Sequence, residues 1–296
     1  MFFHNVRVII QLYARNSEQQ LIFSKYAAKQ TDYFCIECQG VVRRRGGFHR
    51  HVHFYHLASS KSCRLNGKSM THLQIQMHLQ SLLPEGECEL ECRFPKIDRI
   101  ADVVWWPQKL IFEVQYSPIS AEEVNERNAD YRSQGFQVVW ILHDHLYNQV
   151  KVSAAEQLLL DSPHYFTDIN AEGIGQIYDH FAYVSKGMRK IVLPRMPVQM
   201  EHPQQVNKEM LEGMPKSMMQ RIKNWPVYFS GDLLDVCMAN PRSEEINAYI
   251  SRLFEAEQIW MSSLAVKRGM WIIRWLVKLQ RLYWLSFQLM LERSCK

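Results

Sequence analysis

The sequence predicts a mixed α/β (α+β) chain. Three observations predict it. Between residues 70 and 142 the pattern runs helix, three strands, helix, strand. A stretch rich in Cys, His and Arg precedes that core. Helical periodicity dominates the last third.

Taken in order, MFFHNVRVIIQLYARNSEQQLIF (1–23) reads as a strand pair with Asn16-Ser17 near its turn. It has no basic leader before an unbroken apolar run and no small-residue cleavage site, so a secretory signal is not expected. CIECQGVVRRRGGFHRHVHFYHLASSKSC (35–63) follows. MTHLQIQMHLQSLL (70–83) then reads as a helix and CELECRF (88–94) as a strand. Residues 100–106 and 110–116 are rich in Val, Ile, Trp and Phe, as strands are, and Pro107-Gln108 supplies the turn. Ser120-x-x-Glu123 is a capping box for a helix over about 121–134, closed by Gly135 as its C′ residue. FQVVWIL (136–142) is the next strand.

The hairpin carries an anomaly. If 107–108 is the whole loop, Trp106 lies opposite Lys109, and the same register sets Asp102 opposite Glu113. Gln115, two residues on, shares their face. Two carboxylates in a mostly apolar sheet repel each other and are costly to bury. A bound cation or a shifted pKa relieves both. The plainer alternative is a wetted pair at the sheet's end with no chemistry.

Composition narrows the class. At 296 residues and 47% hydrophobic, the chain can bury a sizeable core in one to three domains. Seven cysteines, an odd number, argue against a disulfide framework and fit a reducing, cytoplasmic setting. Cys88 and Cys92 read as core thiols. Cys35 and Cys38 have the spacing of a zinc knuckle, with His56 and Cys63 to complete a tetrahedral site and His53 as the alternative to His56. From residue 35 to 68, seven Lys/Arg stand against Glu37 alone, which exceeds the whole chain's net charge of +5. Arg43, Arg44, Arg45 and Arg50 are therefore candidate DNA-binding residues that contact phosphate. The alternative is a solvated face.

The order of elements, with Asp102 and then Glu113-x-Gln115, resembles the restriction-endonuclease-like nuclease core, whose motif is Asp, a gap and Glu/Asp-x-Lys. More narrowly, RIADVVW, FEVQYSPIS, Arg127, Tyr131, Gly135 and VVWIL resemble the competence protein CoiA family. The segment 35–63 looks like that family's Cys-x-x-Cys, His-Phe-x-His and Cys. The resemblance covers roughly residues 30–145. It implies a restriction-endonuclease-like core with an N-terminal zinc-binding module. It implies a DNA partner, recombination proteins as further partners, and a role in DNA uptake, competence and homologous recombination. It also implies phosphodiester hydrolysis with Mg²⁺ or Mn²⁺ held by Asp102 and Glu113. Gln115 would orient water where relatives have Lys, Arg127 would contact phosphate, and Tyr131 lies one turn beyond. Glu89 or Glu91 is a further candidate ligand. The family's Glu-His-x-x-x-Lys stands here as Thr71, His72 and Gln76. Those departures and Gln115 favour a catalytically inactive DNA-binding accessory protein; retention of Asp102 and Glu113 favours a nuclease.

The expected organisation is 1–68 as N-terminal strands and zinc module, 69–150 as nuclease core, and 151–296 as a mixed, then mainly helical region. Within the last, loops are expected near Pro163, Pro194 and Pro197, a linker over 201–208, and helices over 233–239 and 243–257. One long helix is expected over 265–293, with Lys267, Arg274, Lys278 and Arg281 near one stripe. Charges interrupt it too often for a transmembrane span, so burial in a helical domain is favoured over a membrane surface.

Overall fold

A computed structural model describes residues 10–47, 50–58, 63, 68–205 and 216–239, with isolated helical positions beyond 247. The helices expected over 243–257 and 265–293 lie almost wholly outside the described residues.

The first sheet is antiparallel. It comprises β1 (Ile10–Gln11), β2 (Tyr13–Arg15), β3 (Leu21–Phe23), β4 (Asp32–Cys35), β5 (Val41–Gly47) and β6 (Arg50–His56), in the order β1-β6-β5-β4-β2-β3. Its β2–β3 pair is the hairpin expected around Asn16, whose side chain accepts from the Glu18 and Gln20 amides and holds the turn. Ala14, Tyr33, Val42 and Phe54 fill a small core.

The second sheet is mixed and positions the site. α1 (Met70–Leu82) leads into β7 (Cys88–Phe94), β8 (Arg99–Trp105) and β9 (Leu110–Gln115). α2 (Ala121–Ser133) then crosses to β10 (Gln137–His143). β7, β8 and β9 are antiparallel neighbours, while β10 runs parallel to β9, as a helical crossover requires. Ser69 caps α1 by accepting from the His72 amide. Ser120 caps α2 by accepting from the Glu123 amide, and Gly135, at φ +82°, ends it. These elements match the expected ones to within a residue or two.

The hairpin register is also the expected one. Val103 pairs with Phe112 and Trp105 with Leu110; Asp102 and Glu113 come one residue beyond the last of these pairs. The turn is longer than Pro107-Gln108 alone. Four residues, 106–109, form it, and Lys109 takes φ +53° while its amide donates to the Trp106 carbonyl.

Beyond residue 150 the chain is mixed. α3 (Ala154–Leu159) is followed by β11 (His164–Thr167), β12 (Ile177–Asp179), β13 (Ala182–Ser185), β14 (Met188–Val192), β15 (Met196–Pro197) and β16 (Gln199–Gln205). α4 (Lys216–Asn224), β17 (Val227–Ser230) and α5 (Leu233–Ala239) follow. β11, β12 and β15 extend the central sheet to seven strands, β15-β12-β11-β10-β9-β8-β7. Pro197 is thus an edge-strand residue rather than a loop, where its missing N–H costs nothing. The expected linker is also corrected. Residues 201–205 belong to β16, which pairs with β17; β17 contributes Val227 and Phe229 to the core. Polar composition and Pro203 hid a strand of which one face packs.

The central sheet separates two cores. Phe112 and Val114 point toward α1, α4 and α5; Ile111 and Trp140 point toward α2 and α3. Arg221, stacked 3.7 Å from the Trp225 ring centroid, pairs with buried Asp179 at 2.7 Å and locks α4 to β12. Among the described residues no helix is long and apolar enough to cross a membrane.

Candidate metal centre and nuclease-like pocket

β4 ends at Cys35 and a turn brings Cys38 back beneath β6. His56 closes β6, and Cys63 follows. One ligand atom from each of these four residues lies within 4.8 Å of the others. Cys35 Sγ is 3.7 Å from Cys63 Sγ, and Cys38 Sγ is 3.2 Å from His56 Nε2. The turn is built for this approach: a Cβ on Gly40 would sit 3.2 Å from Cys38 Sγ and 3.5 Å from the His56 ring. Burial raises the Cys35 thiol and lowers His56, the latter favouring the neutral imidazole that binds metal. Three sulfurs and one nitrogen are the donor set of a structural zinc ion, and the cluster could hold one. His53, the alternative, is buried on β6 but is not among the four.

The second cluster spans three adjacent strands. Glu91 on β7 lies between the partners of Val103 and Ala101, beside Asp102 on β8, and Glu113 lies on the next strand, β9. All three are nearly inaccessible, at 4%, 5% and 1% exposure. Each carboxylate is met by protein donors. Asp102 Oδ1 accepts from Lys68 Nζ at 3.0 Å and Gln76 Nε2 at 2.7 Å, and lies 3.0 Å from His72 Nε2. Its Oδ2 accepts from the Val114 amide at 2.9 Å. Lys68 Nζ also donates to Glu91 Oε1 at 3.1 Å. Glu113 accepts from Arg127 Nη1 at 2.5 Å and from the Tyr131 hydroxyl at 2.8 Å.

The electrostatics divide the pair. Burial alone would raise Asp102, but His72, Lys68 and the Val114 amide overcome it and hold the carboxyl far below its usual range. Burial raises Glu113 to about 7, against the pull of Arg127, with Asp102 adding its own repulsion. Arg127 is shared, since its Nε also meets Glu123 at 2.8 Å one turn back. The helix pair and the contact with the site are both present.

A cavity of about 560 Å³ opens beside Asp102, and Lys68, His72, Gln115, Tyr116 and Arg127 help to line it. Gln115 does not turn its amide to the carboxylates. Nε2 donates to the Ser117 carbonyl at 2.6 Å, which also accepts from Tyr147. Gln115 therefore ties down the loop before α2. The expected Mg²⁺ meets a poor fit in this arrangement. Asp102 already carries an ammonium on the oxygen that faces α1, and Glu113 already carries a guanidinium. In the sequence Lys68 stands out only as one charge in a basic stretch. His72 and Gln76 are one turn apart on a face of α1, Lys68 stands just before its N-cap, and all three reach Asp102.

The arginine cluster does not form one surface. Arg43 and Arg45 alternate with Arg44, which shares the Val42 and Phe54 face and donates to the Ser24 carbonyl at 3.2 Å. Arg43 pairs with Asp32 at 2.5 Å, and Arg45 lies 5.8 Å from the Tyr55 ring centroid. The Arg50 side chain lies outside the described set.

Comparison with known proteins gives one match. Residues 68–171 fit the family model described as "Competence protein CoiA, nuclease-like domain". No curated protein and no solved structure matches significantly. The matched segment begins at Lys68, runs through α1, the three carboxylate-bearing strands, α2, β10, α3 and β11, and so contains every side chain named in the second cluster. By its strand order and this match, the segment 68–171 is similar to the nuclease-like domain of the competence protein CoiA family.

Proposed function

We propose that this chain is a DNA-binding protein of DNA uptake and homologous recombination that uses its nuclease-like pocket to hold a phosphodiester backbone. The observation that carries the reading is the pocket's own chemistry. Lys68 and Arg127 front a cavity large enough for a nucleotide unit, and buried carboxylates fix both cations in place. Lys and Arg clusters are the usual phosphate contacts, and fixed ones lose little entropy on binding. Arg43 and Arg45 on β5 offer further contacts. The Cys35/Cys38/His56/Cys63 site, with zinc, would hold that sheet in shape.

A second reading, metal-dependent phosphodiester hydrolysis, is favoured by one observation: Asp102 and Glu113 are buried on adjacent strands, one residue beyond the last β8–β9 pair, Val103–Phe112. In that reading both carboxylates would hold Mg²⁺ or Mn²⁺, a Lewis acid that activates water and offsets charge on phosphate. The experiment uses zinc-loaded full chain with labelled single-stranded, duplex and branched DNA, with and without Mg²⁺ or Mn²⁺. Binding without cleavage supports the first reading. Cleavage lost in Asp102→Asn and Glu113→Gln replaces it with the second. An absence of binding to all three forms overturns both.

A further inference from the structure

We propose that Lys68 is the resident cation of the carboxylate row, standing between Glu91 and Asp102 in place of a divalent ion. Binding in the pocket is then independent of divalent metal, and removing this one ammonium creates a metal site. For the nucleic acid this deepens the function proposed above; for the ion it stands alone.

The geometry carries it. Glu91 and Asp102 are cross-strand neighbours on β7 and β8, and Glu91 takes φ +51°, a backbone turn that lets its side chain reach the same point as Asp102. Lys68 Nζ bridges them at 3.1 and 3.0 Å with its side chain only 12% exposed. A hard divalent cation prefers a set of oxygens such as these. Here an ammonium holds the shared position, and an incoming ion must either displace it or sit against a like charge. Glu91 is fixed from the other side too, since its Oε2 accepts from the Leu12 amide at 3.4 Å. The ammonium has three donors and spends two on carboxylates. Among the described residues the third has no acceptor and is left for a phosphate oxygen in the cavity that Lys68 lines.

The test measures Mn²⁺ binding by electron paramagnetic resonance on the zinc-loaded full chain. Wild type should show no Mn²⁺ binding that depends on Asp102. Lys68→Ala should gain about one Mn²⁺ per chain, at least about tenfold tighter than wild type, and lose it again when Asp102→Asn is added. Lys68→Arg, which keeps the charge, should behave as wild type. In parallel, DNA affinity is compared with and without Mg²⁺ at matched ionic strength. Wild type should be indifferent to Mg²⁺, whereas Lys68→Ala should bind more weakly and recover part of its affinity when Mg²⁺ is added. Asp102-dependent Mn²⁺ binding by wild type overturns the proposal, and this comparison does not require Lys68→Ala to fold. A folded Lys68→Ala that gains no ion also overturns it. A wild type that binds no DNA removes the proposed function but leaves the Mn²⁺ result readable.

Discussion

The Cys/His cluster of the first sheet and the carboxylate row of the second are both groups of metal-ligating side chains, yet the protein balances them in opposite ways. Around Cys35, Cys38, His56 and Cys63 the ligand atoms converge on one another, and the donors among them are weak thiols and an imidazole. Around Glu91, Asp102 and Glu113 the oxygens turn outward to Lys68, His72, Gln76, Arg127 and Tyr131. The first arrangement could be completed by an ion from outside. The second is already completed from within the chain. Ligand type alone does not separate the two; the identity of the nearest donors does.

The largest effect should come from breaking the first cluster. Cys35→Ser should drop zinc from about one per chain to none by elemental analysis and unfold the first sheet, because structural zinc sites rest on about 10 kcal/mol or more of binding free energy. A folded, metal-free wild type would place both clusters in the same class and erase the contrast.

Next comes Glu113, the least compensated member of the row. Its carboxyl is raised to about 7 in the fold, so the folded state holds the proton more tightly than the unfolded chain does. That contribution to stability is complete below pH about 4.5 and is lost as pH rises through about 7. Glu113→Gln, which cannot ionise, should therefore gain stability over wild type at pH 8, on the order of 2–3 kcal/mol, and little at pH 4.5. Urea denaturation of both proteins at the two pH values reads this. An equal difference at both would mean that Arg127 balances Glu113 fully, as Lys68 and its neighbours balance Asp102.

Tyr131→Phe removes one donor from Glu113 and leaves the ring, which is buried against Phe94 and Val124. The expected loss is about 1–2 kcal/mol by the same measurement. The smallest effect belongs to the arginines. Arg43→Ala and Arg45→Ala, on one face of β5, should each lower the salt slope of DNA binding by about 0.7–0.9 for every phosphate the side chain had neutralised. Arg44→Ala should change stability instead, since its guanidinium serves the Ser24 carbonyl.

Much of this was legible in the sequence because the signals were local. Caps at Ser69 and Ser120, the stop at Gly135 and the hairpin register all depend on residues a few positions apart. The Cys/His set was legible because its residue types have few other reasons to recur at that spacing. What escaped was set by distance along the chain. Strand alternation puts Gln115 beside two carboxylates, but Ser117 and the remote Tyr147 decide where its amide goes. Lys68 finds Asp102 across 34 residues. Arg44 leaves the charge cluster through strand alternation, which a run of three arginines does not display. The strand at 201–205 is hidden because its packing partner, β17, lies beyond residue 225.

The bond from the Leu12 amide to Glu91 has a consequence for where this molecule can be divided. Leu12 also sits in the main hydrophobic core, 1% exposed, alongside Leu73 of α1 and Phe229 of β17. The recognisable segment 68–171 is therefore a unit of sequence similarity rather than a unit of folding. Cut at those boundaries, it would lose the backbone donor behind Glu91 and bare the sheet face that α4, β17 and α5 cover. The pocket's chemistry lies within the segment, but its rigidity is supplied by chain on both sides.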